Sequence, residues 1–159
     1  LVDMGTMLAA LVDMHNDYNA GSPKVRLEHI DGDKGSLMMA GMDGRLAQVF
    51  QNLITNAVSF SPKQGRITLA VVQTGSEICI YVDDEGPGIP TGLEQKIFER
   101  FYTERPDSEK FGTHSGLGLN ISKQIVEAHE GSIIASNRTD IDGEVVGARF
   151  SVSFPKAEI

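Results

Sequence analysis

Between residues 43 and 62 the chain has little freedom in what it becomes. Leu46, Val49, Phe50, Leu53, Ile54, Ala57 and Val58 recur at i, i+3, i+4 and i+7, the spacing of a helix with one apolar stripe. Asp43 stands where it would cap the start of that helix, and Pro62 and Gly65 end it. Two apolar runs follow, residues 66–72 and 77–83, divided by Gly75 and Ser76; they read as an antiparallel hairpin. A one-sided helix beside one-sided strands implies two layers, a mixed sheet under helices.

The remaining segments fit the same plan. Leu1, Met4, Leu8, Leu11 and Val12 keep helical spacing over residues 1–19, whereas residues 25–30 alternate like a strand after the break at Gly21, Ser22 and Pro23. Residues 31–35 resemble the opening of a calcium loop, but Met42 occupies the position where that loop needs a bidentate glutamate, so they read as a hairpin turn before a strand at 37–40. Residues 93–101 read as a short amphipathic helix, and the polar, aperiodic residues 102–115 as a mobile loop. From Gly116 a further helix presents Leu117, Ile121, Ile125 and Val126; His129 reads as a cation at its C-terminus and Gly131 as its stop. Strands at 132–136 and 146–154, with a turn at 140–143, complete the chain.

Length, 159 residues, and a 40% hydrophobic content suit one ordinary core, taken here as a single domain over residues 1–159. A formal net charge of -8 argues against a nucleic-acid partner, which needs clustered Lys and Arg. Cys79 is the one cysteine, so no internal disulfide forms; it reads as a core residue in a reducing compartment. No run reaches the roughly 18 apolar residues of a membrane span. The abrupt start at Leu1 reads as the edge of a fragment of something longer.

Three stretches carry chemistry. In NLITNA at 52–57, Asn52 and Asn56 continue a row begun by Gln48, four residues apart along one side of the first helix described above. Such a row is either a solvated face or a neutral oxygen site for Mg²⁺ that takes its charge balance from phosphates. In DEGPG at 84–88, directly after a strand, glycines allow close approach of a planar ligand, and the Asp84 carboxylate can accept a hydrogen bond from an exocyclic amine. The plain alternative is a tight turn with a solvated aspartate. In SGLGL at 115–119 a helix opens with two glycines, a place where free N–H groups and the helix dipole favour an anion. Neither the P-loop nor the G-x-G-x-x-G dinucleotide pattern is present.

The order of these stretches, with FERFY at 98–102 between the second and third, resembles the catalytic ATP-binding domain of two-component sensor histidine kinases, within the gyrase and histidine-kinase superfamily. Residues 98–119 look nearest to the ChvG-type sensors. The resemblance implies an α/β (α+β) two-layer sandwich in which a mixed sheet packs against three main helices, the Bergerat ATP-binding fold. Residues 1–42 would supply the N-terminal helix and strands, 43–154 the nucleotide-binding region, and about 102–115 its lid.

The resemblance also implies roles. Asn56 ligates Mg²⁺ bridging the ATP phosphates, and Asn52 supports it from one turn earlier. Asp84 reads the adenine amine; Gly86 and Gly88 shape the pocket; Phe98 and Phe101 anchor the lid; Gly116 and Gly118 free the helix start to meet the phosphates. Phe60, Ile89, Tyr102, Ser115, Leu117 and Leu119 complete the surroundings of the nucleotide. The basic residue common in the family three positions after the magnesium asparagine is Ser59 here, so Arg100, Arg105 or Lys110 would face the phosphates instead. Thr113 and His114 stand where the family often has glycine.

Gyrase-type relatives carry a glutamate at the position of Asn52, where it activates water; an amide has no useful basicity there. The implied activity is therefore phosphoryl transfer to a histidine on a separate dimerisation and phosphoacceptor domain, for delivery to a response regulator. None of His15, His29, His114 and His129 lies in a long dimerisation helix, so acceptor and acidic neighbour would belong to a preceding domain. The parent would be a membrane-anchored homodimer whose kinase domain is cytoplasmic. A nucleotide-sensing module without transfer activity and a gyrase-like ATPase are the other readings.

Overall fold

The computed structural model describes residues 1–18, 21, 23–31, 37–102 and 118–158, with backbone alone at residues 29–31. Its elements are β1 (Val2–Asp3), α1 (Met4–Tyr18), β2 (Lys24–Asp31), β3 (Met38–Met39), α2 (Asp43–Phe60), β4 (Arg66–Thr74), β5 (Glu77–Asp83), a 3₁₀ turn (Lys96–Phe98), α3 (Gly118–Ala128), β6 (Ser132–Thr139) and β7 (Val145–Pro155). Strands β2-β4-β5-β7-β6 form a mixed five-stranded sheet. β2 runs parallel to β4 and the other neighbours are antiparallel.

Period-two alternation decides which face is buried. Ile67, Leu69 and Val71 of β4, Ile78, Ile80 and Val82 of β5, and Ala148, Phe150, Val152 and Phe154 of β7 meet the stripe Leu46, Val49, Phe50, Leu53, Ile54 and Ala57 of α2. Phe50 and Phe154 lock the two layers edge to face, 6.5 Å between ring centroids. α1 adds Met4, Leu8, Leu11 and Val12, and α3 adds Ile125 and Val126. Three helices over a mixed sheet is the architecture the sequence implied.

Several local expectations change. Residues 93–101 form one 3₁₀ turn within a string of turns, because the buried residues are the adjacent pair Ile97 and Phe98, which a single turn suffices to bury, and Phe101 turns left-handed at φ 64°. Asp43 is the first residue of α2 and not its cap; Met42 is the cap, without a side-chain bond, and the Asp43 carboxylate accepts its neighbour Gly44's N–H at 2.7 Å. Cys79 alternates onto the outer, half-exposed face of β5 and is not a core residue. Leu1 lies outside α1 and is exposed, since Val2–Asp3 pair with Met38–Met39 as a small second sheet. β6 runs on past residue 136 to Thr139.

His129 also departs from its expected role as a helix cation. Its Nε2 accepts the Met42 N–H at 3.1 Å while Nδ1 donates to the Ile125 carbonyl at 2.8 Å, a pairing that uses the neutral ring. The imidazole therefore ties the end of α3 to the start of α2, edge-on to Phe154 at 6.3 Å. Replacing His129 by leucine leaves the Met42 N–H without this acceptor and is expected to lower stability by about 1–2 kcal/mol in chemical denaturation.

Candidate functional site

The site lies where α2, the loop after β5, the 3₁₀ turn and the start of α3 meet. Asp84 is its most constrained group. β5 delivers it at the strand end, where the alternation turns its side chain away from that of Asp83; its own N–H donates to the Ala148 carbonyl at 3.0 Å. Oδ1 accepts the N–H of Ala148 at 3.0 Å and that of Gly86 at 2.9 Å. Oδ2 accepts nothing among the described residues, yet is not sealed from solvent. The residue is only 3% exposed, and burial pushes its carboxyl above the usual aspartate value of 3.8, against the pull of the two N–H groups and of the Arg138 charge. One fixed oxygen and one available oxygen make a rigid acceptor.

The three neighbouring acids do not converge. Asp83 points to the outer face and holds Arg149 bidentately at 2.7 and 2.8 Å, with the guanidinium stacked 4.8 Å over Tyr81. That hydrogen bonding raises the Arg149 pKa still further. Glu85 accepts the Arg66 N–H at 2.8 Å and its own N–H donates to Ser61 Oγ at 3.2 Å. Only Asp84 faces the site.

Glycines set how closely the loop approaches its walls. A Cβ on Gly86 would stand 2.7 Å from the Phe60 carbonyl oxygen at the end of α2. Gly88 is left-handed, φ 83°, and its α-carbon lies against Val145 and Asn137 of the β6–β7 hairpin. The following residue, Ile89, is buried.

On α2, Asn52 and Asn56 are both half-buried. Asn52 Nδ2 donates to Ser122 Oγ at 3.3 Å and to the Gly118 carbonyl at 3.4 Å, which joins the helix to the start of α3. The Asn56 carboxamide makes no hydrogen bond among the described residues. Gly118 and Leu119 are half-buried beside Asn52 at the start of α3. Phe98 is buried edge-on to Phe150 at 6.1 Å, its carbonyl accepting Asn120 Nδ2 at 3.0 Å. Phe101, expected to anchor alongside it, is 65% exposed with the Arg100 guanidinium 5.3 Å over its ring. Phe60 and Tyr102 are half-buried at the ends of α2 and of the turn region. Ser115, Gly116, Leu117, Arg105, Lys110, Thr113, His114 and the lid after Tyr102 lie outside the described residues.

Sequence reasoning passed over four contributors. Ser122 is fully buried against Asn52. Asn137 pairs with both backbone groups of Ile89. Arg138 donates from Nη1 to the Asp84 carbonyl, and Gly147 leaves room for that same carbonyl. One signal existed: Asn137 continues the inward-facing row of Ile133 and Ala135, where a polar side chain needs a partner.

Known proteins share this sequence pattern and fold. The family model described as "Histidine kinase-, DNA gyrase B-, and HSP90-like ATPase" matches residues 41–158. The sensor protein ChvG of Rhizobium meliloti (strain 1021) is 42% identical over 97% of this chain, which spans 28% of that protein. Among solved structures, the mycobacterial sensor histidine kinase MprB superposes with a TM-score of 0.80 at 24% identity, covering 99% of this chain and 97% of that one. The histidine kinase ThkA, solved in complex with the response regulator protein TrrA, gives 0.77 at 24% identity over 98% of this chain and 41% of that one. No helix among the described residues is long and apolar enough to cross a membrane. The five-stranded mixed sheet and the match over residues 41–158 thus have one common explanation: this chain belongs to the histidine kinase-, DNA gyrase B- and HSP90-like ATPase family.

Proposed function

We propose that the chain binds ATP with Mg²⁺ and passes the γ-phosphoryl group to a histidine on a separate dimerisation and phosphoacceptor domain of its own kinase, as the catalytic module of a two-component sensor. The observation that carries this reading is Asp84, a nearly buried carboxylate with one oxygen fixed by two N–H groups and the other left for a donor. An adenine amine is such a donor. The pocket residues fit the rest of the nucleotide. Gly86 and Gly88 bring the loop against its walls without side chains of their own, and Asn56, one turn from Asn52, holds a carboxamide that makes no hydrogen bond among the described residues.

Magnesium would supply charge neutralisation between the phosphates, and Asn56 Oδ1 is the ligand this chain offers for it. Asn52, with its Nδ2 committed to Ser122 and Gly118, holds the two helices together. It supplies no base for water, which favours transfer over hydrolysis. Arg100 is the expected phosphate-facing cation that falls within the described residues, and Gly118 and Leu119 begin α3. A whole protein that is a membrane-anchored homodimer with a cytoplasmic kinase domain belongs to this reading, and the ThkA structure, solved with the response regulator protein TrrA, supports a response regulator as recipient.

Asn56→Ala is expected to weaken ATP binding about tenfold in the presence of magnesium, with little further change when the metal is removed. Titration calorimetry with and without Mg²⁺ checks this. Transfer itself is tested by mixing the chain with γ-labelled ATP and a separately produced dimerisation domain. Label on the acceptor histidine is the expected result; an acceptor that stays unlabelled while ATP binds contradicts the kinase reading. Rapid phosphate release by the chain alone would point to an ATPase.

A further inference from the structure

Asn137 occupies an unusual place for an amide. It continues the core-facing row of edge strand β6 after Ile133 and Ala135, where the alternation calls for a hydrophobe. Its carboxamide makes a two-way pairing with one residue of the loop after β5: the Ile89 N–H donates to Oδ1 at 2.6 Å, and Nδ2 donates to the Ile89 carbonyl at 2.9 Å. A side-chain amide thus stands in for a neighbouring strand, offering one acceptor and one donor where the loop has left the sheet. The approach depends on Gly88, because a Cβ there would lie 2.6 Å from Asn137 Oδ1 and 2.5 Å from Val145 Cγ1.

We infer that Asn137 is a positioning residue for nucleotide binding: by clamping Ile89 to the β6–β7 hairpin it holds residues 86–89 in the conformation that receives the base beside Asp84. The inference rests on the ATP reading above and adds a residue outside the motifs that carry that reading. Asn137 does not touch the nucleotide in this scheme. Its contribution is order: a loop held before binding loses less freedom on binding than one that must be fixed by the ligand.

The chain contains its own control. Asn16 of α1 makes the same two-way pairing with Val25 of β2, Nδ2 donating to the carbonyl at 2.8 Å and Oδ1 accepting the N–H at 3.1 Å. That clamp is built from the same atoms but joins α1 to the opposite edge of the sheet.

The test compares wild type, Asn137→Ala, Asn137→Asp and Asn16→Ala by ATP titration calorimetry, thermal melting and amide hydrogen exchange at Ile89 without ligand. Asn137→Asp preserves volume and the acceptor but removes the donor, so it separates a lost clamp from a lost volume. Both Asn137 variants are expected to bind ATP about tenfold more weakly and to exchange the Ile89 amide faster, an effect the size of fixing one released residue. Asn16→Ala is expected to melt lower while binding ATP as wild type does. Wild-type affinity in both Asn137 variants overturns the inference, as does an equal loss in Asn16→Ala, which would make the effect one of general stability. If the wild-type chain takes up no ATP, the proposed function fails, and an unchanged Ile89 exchange rate in Asn137→Ala is then what overturns the clamp.

Discussion

Asp84→Asn is expected to weaken ATP binding by about a hundredfold, roughly 2.8 kcal/mol, while leaving the nucleotide-free chain at least as stable as wild type. The asparagine oxygen can still accept the N–H groups of Ala148 and Gly86 that Oδ1 accepts now, so the strand end keeps its shape. Its amide nitrogen then replaces the available oxygen and presents a donor to the adenine amine, itself a donor. The stability half follows from the raised pKa of Asp84, of which burial is the largest cause. Between the ordinary value of 3.8 and the raised one, the folded chain holds more protons at this site than the unfolded chain, so stability falls as pH rises through that window. Once ionised, the buried carboxylate is a net burden that asparagine relieves. Acidification acts in the other sense on binding, since a protonated Oδ2 stops accepting; ATP affinity is expected to drop as pH falls through the raised pKa of Asp84. Calorimetry beside a melting curve reads both halves, and a variant that melts well below wild type would show Asp84 to be held for structure.

A larger combined effect is expected at a residue no motif names. Gly147 of β7 lies directly against the Asp84 carbonyl oxygen, and a Cβ added there would overlap that atom. The backbone of Asp84 has nowhere to retreat, because its N–H is bound to the Ala148 carbonyl and its carbonyl to Arg138. Gly147→Ala must therefore push the strand end off β7. We expect a loss of about 3 kcal/mol in chemical denaturation, together with loss of measurable ATP binding, because the Ala148 N–H that fixes Asp84 Oδ1 moves with it. Unchanged stability would mean that the two strands separate there at little cost.

The comparison of sequence with structure divides along the range of the interactions. α2, the β4–β5 hairpin and β7 were legible because each buries an uninterrupted periodic set, and period alone decides which residues face inward. Asp84 could be picked out because it follows a strand and precedes two glycines. What stayed hidden depends on partners distant in the chain. The acceptor role of His129 requires Met42, 87 residues away. The use of Asn137 requires Ile89, and that of Asn52 requires Ser122. Residues 93–101 misled for a local reason: Leu93, Ile97 and Phe101 have helical spacing, but Phe101 is turned outward and the adjacent Ile97 and Phe98 carry the burial. Cys79 misled because an unbroken apolar run conceals which of its members alternate outward.

In the proposed function a nucleotide is held at one end by a buried carboxylate and at the other by a metal shared with an asparagine amide. Titrating ATP into the wild-type chain by calorimetry, with Mg²⁺ and then with the metal chelated, tests this most directly. The predicted result is saturable one-to-one binding that weakens when the metal is withdrawn. Folded chain that takes up no ATP with Mg²⁺ present would contradict it.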